Sequence, residues 1–381
     1  MTTAMIIDAV RSPIGRRDGT LAKIRGDELS AQVLNGLVER HDLDPAEIED
    51  VQMGCVTQVG EQGWNIGRMV PLVAGWPETV GGTTVDRQCG SSLQTSFNAA
   101  AAIWSGQLDL VVSAGVEMMS RVPMGSSGGD LSDRLHERWQ IVPQGISAEV
   151  IAEEWGLSRE QLDDFSLESH RRALAAIEEG RFENEIVPVE LTNPHLGVQF
   201  AVDETPRADT SADRLAALKP AFLPDGKVTA GNSSQICDGA AAVLLSSERA
   251  ASRLGLEPRA RFVSFGLAGV DPHRMLHGNP QAAAKALAGA GLSWDDIAVI
   301  EVNEAFASVA LQFMQDAGLE DRWSDVNPNG GGISLGHPLG ATGARITATL
   351  VNELDRRDAR YGLATMCIGF GQALAAVIER L

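Results

Sequence analysis

Short apolar runs, each bounded by polar or glycine residues, recur between alanine-rich stretches of helical period, and that alternation restricts the chain to an α/β architecture. Met5 to Val10, Leu108 to Ala114, Ala298 to Val302 and Ala364 to Ile368 read as buried strands. Ala31 to Arg40, Leu93 to Trp104, Ala282 to Ala290 and Ala344 to Leu354 carry apolar residues three and four apart. Their alanine content suits helices that pack closely on both sides of a sheet. From about Ser120 to Phe222 charges become denser, Gly125 to Asp130 is a glycine-serine stretch, and Asp163 to Arg181 reads as an amphipathic helix, so this region is an insertion. The segment Ile236 to Leu245 followed by Glu248 resembles Ile368 to Val377 followed by Glu379, which hints at a duplicated unit.

Composition excludes several functions. With 31 Lys plus Arg against 51 Asp plus Glu, the formal charge is −20, and no basic block tracks a phosphate backbone. Nucleic acid is therefore not an expected partner. A few arginines and helix N-termini still suffice to bind an anionic ligand on an acidic protein. Cys55, Cys89, Cys237 and Cys367 lie far apart, without metal-site pairs, and read as free thiols of a reducing compartment. The N-terminus enters an apolar strand without a charged leader, and no apolar run approaches the ~20 residues of a membrane span. The C-terminal Glu-Arg-Leu is not the peroxisomal Ser-Lys-Leu. The expectation is a cytoplasmic protein.

Four segments carry chemistry. Thr84 to Leu93 takes a strand through small residues into an alanine-rich helix, which places Cys89 at a helix N-terminus. There, free N–H groups and the helix dipole favour the thiolate and lower the thiol from its ordinary ~8.5. A buried structural cysteine fits the same segment. In Asn327 to Arg345 glycines crowd around His337, which points to tight turns or close ligand approach. A histidine held there suits a base for a nearby thiol. Cys367 stands on a strand end before Gly369, where a backbone N–H can face a substrate. Asn303 and Glu304 form a polar pair at a strand-to-helix join, most simply a helix cap and its neighbour.

Cys89-Gly90-Ser91, Asn303-Glu304-Ala305-Phe306, Gly336-His337-Pro338 and Cys367 with Gly369, in this order and spacing, resemble the thiolase family. The resemblance covers nearly the whole chain, including Arg11 to Gly15, Gly231 to Ser234 and Asp238 to Ala241. It implies a thiolase fold: two similar α/β halves forming a five-layered αβαβα core, with an inserted loop domain. The halves would be 1–119 with 223–253, and 254–381, with 120–222 inserted on the coenzyme A side. It implies a homo-oligomer, a dimer or a dimer of dimers, and an acyl-CoA and coenzyme A as ligands, with no metal or permanently bound cofactor. Cys89 would attack the keto group of a 3-oxoacyl-CoA after His337 takes its proton, and Cys367 would protonate the departing acetyl-CoA carbanion. One oxyanion hole would combine His337 with a water held by Asn303; another would use the N–H groups of Cys89 and Gly369. Glu304 would orient groups around them. Ser234 would lie near the pantetheine and Arg207 near the adenine and phosphates, although Arg207 also fits a solvated surface residue.

Three departures from the family pattern cluster where the acyl chain and pantetheine would run. Phe370 replaces a glycine, Gln144-Gly145 a methionine-glycine pair, and His277-Gly278-Asn279-Pro280 a glycine-x-glycine-proline. These positions bear on substrate shape, and a bulky or unusual acyl group is the expectation. Arg87-Gln88-Cys89 is more similar to the degradative thiolases than to the biosynthetic ones that join two acetyl-CoA. A carrier-protein-dependent condensing enzyme would need a Cys-His-His or Cys-His-Asn set, against which Cys367 argues. A silent acyl-CoA-binding scaffold is the reading from another class. Cys55 and Cys237 read as packing residues.

Overall fold

The computed structural model describes residues 2–191 and 198–381; part of the expected insertion, residues 192–197, lies outside them. Among the described residues the strands are β1 (Ala4–Arg11), β2 (Gly15–Arg16), β3 (Asp50–Gly54), β4 (Gly81–Val85), β5 (Leu110–Met118), β6 (Val189–Glu190), β7 (Gln199–Phe200), β8 (Cys237–Ser247), β9 (Ala260–Gly269), β10 (Val299–Val302), β11 (Tyr361–Ile368) and β12 (Gln372–Arg380). The helices are α1 (Gly26–Glu39), α2 (Ile66–Val73), α3 (Ser91–Trp104), α4 (Asp133–Arg138), α5 (Gln144–Glu154), α6 (Arg159–Glu178), α7 (Ala212–Ala216), α8 (Glu248–Leu254), α9 (Asn279–Ala290), α10 (Ala307–Ala317) and α11 (Thr342–Arg357). The four predicted strands and five predicted helices are all present. Their ends move by a few residues: the strand read from Leu108 begins at Leu110 and runs on to Met118, and the charged helix stops at Glu178, short of Arg181.

The strand order is β10-β11-β12-β9-β1-β8-β5-β3-β4. β3 and β5 are parallel while β5, β8 and β1 are antiparallel; β10 and β11 are parallel while β11, β12 and β9 are antiparallel. The pairing pattern of one half thus repeats in the other, with β8 matching β12. The halves touch edge to edge only at Met5–Arg261 and Ile6–Ala260, where β1 meets β9.

Period-two alternation sends successive side chains of each strand into different layers. Ala240, Ala242 and Leu244 of β8 join the core beneath α1 and α2, whereas Ala241, Val243 and Leu245 face α3 and α11. In the other half Ala373, Ala375 and Val377 face α9 and α10, whereas Leu374, Ala376 and Ile378 face the same middle helices. The result is five layers, α1/α2, sheet, α3/α11, sheet, α9/α10. A Cβ on Gly343 would lie 2.2 Å from the Leu93 nitrogen, so the two middle helices meet at a contact that only glycine permits. Phe97 of α3 reaches across to Phe265 of β9, ring centres 3.9 Å apart. Between β5 and β8 the chain leaves the layers and forms α4 to α7 and the β6–β7 pair. Cys89 and His337 thus lie at the N-terminal ends of the two middle helices.

Candidate active site

Cys89 stands one turn before α3, with Gln88 held at φ 46°. Asp86 Oδ1 accepts from the Gln88 N–H at 2.6 Å, which secures a backbone conformation unfavourable for a non-glycine residue. The helix start lies between the layers, not at the surface, and Cys89 is buried. Burial pushes its thiol up to about 11, against the N–H groups of Gly369 and Cys89 itself and the Gln144 side chain, which pull it down. The expectation of a lowered thiol is therefore overturned. Donors at a helix terminus do not offset the loss of water, and the charge that acts on the sulfur among the described residues is the anionic Glu117, which pushes the same way as burial.

His337 is buried, and its ring is held from both sides. Thr342 Oγ1 donates to the Pro338 carbonyl at 2.8 Å, so toward His337 Nδ1, 2.6 Å away, it acts as acceptor. That fixes the proton on Nδ1 and leaves Nε2 as the basic nitrogen. Asn303 Nδ2 lies 3.3 Å from Nε2, and Asn303 Oδ1 accepts no bond from a described residue. Burial, with a smaller push from the Arg345 charge, lowers the imidazole to about 3, so the ring is neutral at physiological pH. A neutral imidazole beside a neutral thiol is an acid–base pair at rest.

Cys367 is the penultimate residue of β11, fully buried. Burial first, and then the charge Cys89 would carry, push its thiol far up, which places the two sulfurs within electrostatic reach of one another.

Glu304 stands behind the glycine-rich loop and does not line the cavity. Its carboxylate accepts from Ser169 Oγ at 2.7 Å, Asn327 Nδ2 at 2.9 Å and the Ile333 N–H at 3.1 Å. A Cβ on Gly331 would strike it at 2.4 Å, one reason that loop is glycine. Gln235 Nε2 lies 3.0 Å from the Ile333 carbonyl and 2.9 Å from that of Ser334, and Glu117 accepts from the Val56, Thr57 and Gly340 N–H groups. Thr342, Gln235 and Glu117 were not read from the sequence. Thr342 alone left a signal, one turn after His337 in the same loop.

Cys89 and His337 line a cavity of about 490 Å³ whose walls include Gln144, Phe222, Ser234 and Phe306, with the exposed Arg207 beside them. A second cavity of about 440 Å³ shares Arg207 with it and adds His170 and Arg214. Leu276 lines the first cavity, but the adjoining His277 turns its ring toward Trp155, centres 6.2 Å apart. Phe370 is 46% exposed at φ 63° in the β11–β12 turn, also outside that lining. Cys55 and Cys237 are buried, and a Cβ on Gly336 would sit 2.7 Å from Cys237 Sγ, so Cys237 packs under the histidine loop. Among the described residues no cluster of His, Cys, Asp and Glu is arranged to hold a metal ion, and no helix is long and apolar enough to cross a membrane.

Residues 4–249 match the thiolase N-terminal domain and residues 256–380 the thiolase C-terminal domain. A 3-ketoacyl-CoA thiolase of Psychrobacter cryohalolentis is 46% identical, over 99% of this chain and 98% of its own. A steroid 3-ketoacyl-CoA thiolase, FadA6 of Mycobacterium tuberculosis, is also 46% identical, over 100% and 95%. Among solved structures, the acetyl-CoA acetyltransferase of Bacillus anthracis superposes with a TM-score of 0.92 at 40% identity, covering 100% of this chain and 99% of that one.

Proposed function

The chain belongs to the thiolase family, and from that premise we propose how its residues divide the work of cleaving a 3-oxoacyl-CoA with coenzyme A into acetyl-CoA and a shortened acyl-CoA. The observation that carries the proposal is the cavity joining Cys89 to His337, whose tautomer leaves Nε2 basic.

His337 Nε2 takes the Cys89 proton as the sulfur forms a bond to the keto carbon. The electron pair of the Cα–Cβ bond leaves with the acetyl-CoA carbon, which Cys367 protonates. The acyl group stays on Cys89 as a thioester until coenzyme A attacks it. The coenzyme A thiol proton restores the Cys367 thiol, while the departing Cys89 sulfur takes back the proton held by His337. Charge on the oxygen at the attacked carbon falls to the Gly369 and Cys89 N–H groups, which pull the Cys89 thiol down against its burial. The enolate oxygen of acetyl-CoA falls to the protonated His337 and to a water on Asn303. Each such donor is worth about 2.7–4 kcal/mol in the transition state. Glu304 acts one step back, fixing the loop that carries His337.

Pantetheine runs past Ser234 and Phe306, and the nucleotide end meets Arg207 at the passage between the two cavities. The inserted segment, 120–222, is the coenzyme A side, between halves 1–119 with 223–253 and 254–381. We assign the protein to the cytoplasm, in keeping with its four free cysteines, and to a homo-oligomer, since among the described residues β4 ends the large sheet with an unpaired edge. The biosynthetic direction, two acetyl-CoA joined into acetoacetyl-CoA, is the same chemistry reversed and is the activity in the name of the Bacillus structure.

Incubation with a 3-oxoacyl-CoA without free coenzyme A, followed by mass measurement of the intact chain and of the Cys89 peptide, tests this. An acyl adduct on Cys89, absent in Cys89→Ala, is expected, and its mass identifies the retained chain. No adduct across several chain lengths would sink the assignment.

A further inference from the structure

One side chain in the cavity has no role in the scheme above, although it lines the same cavity as the reacting sulfur. Gln144 is the first residue of α5, on the inserted segment, and half-buried in the cavity wall. Its Nε2 lies 3.3 Å from the position a Cβ on Gly369 would take. The Gln88 side chain, next to Cys89 in the chain, lies 3.7 Å from the same position, so the amide sits where the Gly369 backbone meets the Cys89 segment. No described residue takes a hydrogen bond from it.

The start of α5 is also fixed firmly enough to aim a side chain. A Cβ on Gly145 would enter the Phe222 ring at 2.2 Å, so the helix presses against that wall without a gap. Ser147 Oγ donates to the Arg274 carbonyl at 2.7 Å, and Glu149 accepts from the Lys227 and Val228 N–H groups at 2.8 and 2.9 Å. A side chain rooted on such a helix is a preorganised donor, the kind that stabilises charge without reorganising as the charge appears.

We propose that Gln144 is a catalytic residue of this chain, its amide N–H donating to Cys89 Sγ as the thiol loses its proton. The proposal rests on the acyl-transfer reading above and adds a donor to it. The S–H bond breaks, the proton passes to His337 Nε2, and the electron pair stays on sulfur until it forms the bond to the keto carbon. Gln144 exchanges no proton at any step. Its hydrogen bond strengthens as sulfur gains charge and weakens when the thioester forms, so it favours the charged state over the states on either side. The pull that the Gln144 amide exerts on the Cys89 thiol, opposing burial, has the sign this requires. A methionine of similar length would fill the wall without donating.

The test measures the rate at which iodoacetamide alkylates Cys89 in the full-length protein as a function of pH, located by peptide mass, for wild type, Gln144→Met and Gln144→Glu. Removing the donor is expected to slow alkylation about tenfold at fixed pH and move its midpoint upward by about one pH unit. Gln144→Glu, which brings a carboxylate to the sulfur, is expected to move it further the same way. In thiolysis both variants lose kcat with the KM for coenzyme A changed less than about twofold, the pattern of an interaction made in the transition state. A Gln144→Met midpoint equal to wild type, in a protein with unchanged melting temperature, overturns the proposal; if that variant melts early, Gln144→Leu, which also lacks a donor and adds no charge, decides by the same criterion. An acyl adduct on wild-type Cys89 in the same preparation separates the outcomes: with the adduct present only the role of Gln144 falls, and without it the acyl-transfer reading falls first.

Discussion

The floor of the cavity and its outer wall are built on opposite principles. At the floor, His337 is buried and held by Thr342 and Asn303, with the buried Glu304 bracing its loop from behind and Cys367 buried in β11. At the wall, Arg207 is exposed and Gln144 and Ser234 half-buried, all contributed by the chain between β5 and β8. The floor is rigid because it belongs to the two matching halves, and its chemistry needs fixed distances. The wall can change without disturbing the halves, and of the three departures from the family pattern Gln144 is the one that lines it. Selectivity for the acyl-CoA can therefore evolve on the insertion while bond-breaking stays on the core.

Substitutions test that contrast from both sides. The largest effect is expected from Thr342→Val, which removes the acceptor that fixes the His337 tautomer. By analogy with groups that orient catalytic ligands, kcat should fall about 10- to 100-fold with KM little changed, and Thr342→Ser should restore it. Steady-state thiolysis decides, and a rise in KM alone would place Thr342 with the wall. Next comes Arg207→Ala, for which the KM for coenzyme A should rise about tenfold at constant kcat, as for a lost contact to a charged group. A proportionate fall in kcat would erase the distinction between wall and floor.

Stability against pH probes the floor without substrate. His337 is held at about 3 in the folded protein, below its ordinary 6.5, so it contributes stability that is fully present above 6.5 and lost as pH falls toward 3. Over that window the unfolded chain takes up a proton the native ring refuses, at up to about 1.4 kcal/mol per pH unit. Urea titrations of His337→Asn should show a slope lower by nearly one proton, and an identical slope would mean the ring is solvated. The smallest effect is expected at the β11–β12 turn, where Phe370→Gly relieves a left-handed conformation and should stabilise by about 1 kcal/mol. Loss of stability instead would show that the phenyl ring makes contacts worth more than the strain.

Much of this was legible in the residues. Alanine-rich stretches such as Ala344 to Leu354 announced a helix packed closely, and α11 is buried through Leu354 between two sheets. The glycines around His337 announced a crowded loop, and the Glu304 carboxylate and backbone carbonyls are what crowd it. What failed was inference about solvent. Cys89 was correctly placed at a helix start, but a helix start inside a five-layered core has no water to share, and its thiol moved the other way. Thr342 and Gln235 escaped notice because threonine and glutamine near a loop have many ordinary uses, and only the folded partners single them out. His277, conspicuous as a departure, turns toward Trp155, a direction that spacing along the chain does not encode.

A thiol held at about 11 also determines how the protein ages. At neutral pH Cys89 carries little thiolate at rest, and peroxide and adventitious electrophiles react with the thiolate. Sulfenic acid formation should accordingly be slow unless a ligand draws the proton onto His337. The nucleophile is concealed chemically as well as sterically, so an inhibitor that carries its own keto group should reach it faster than a general alkylating agent does.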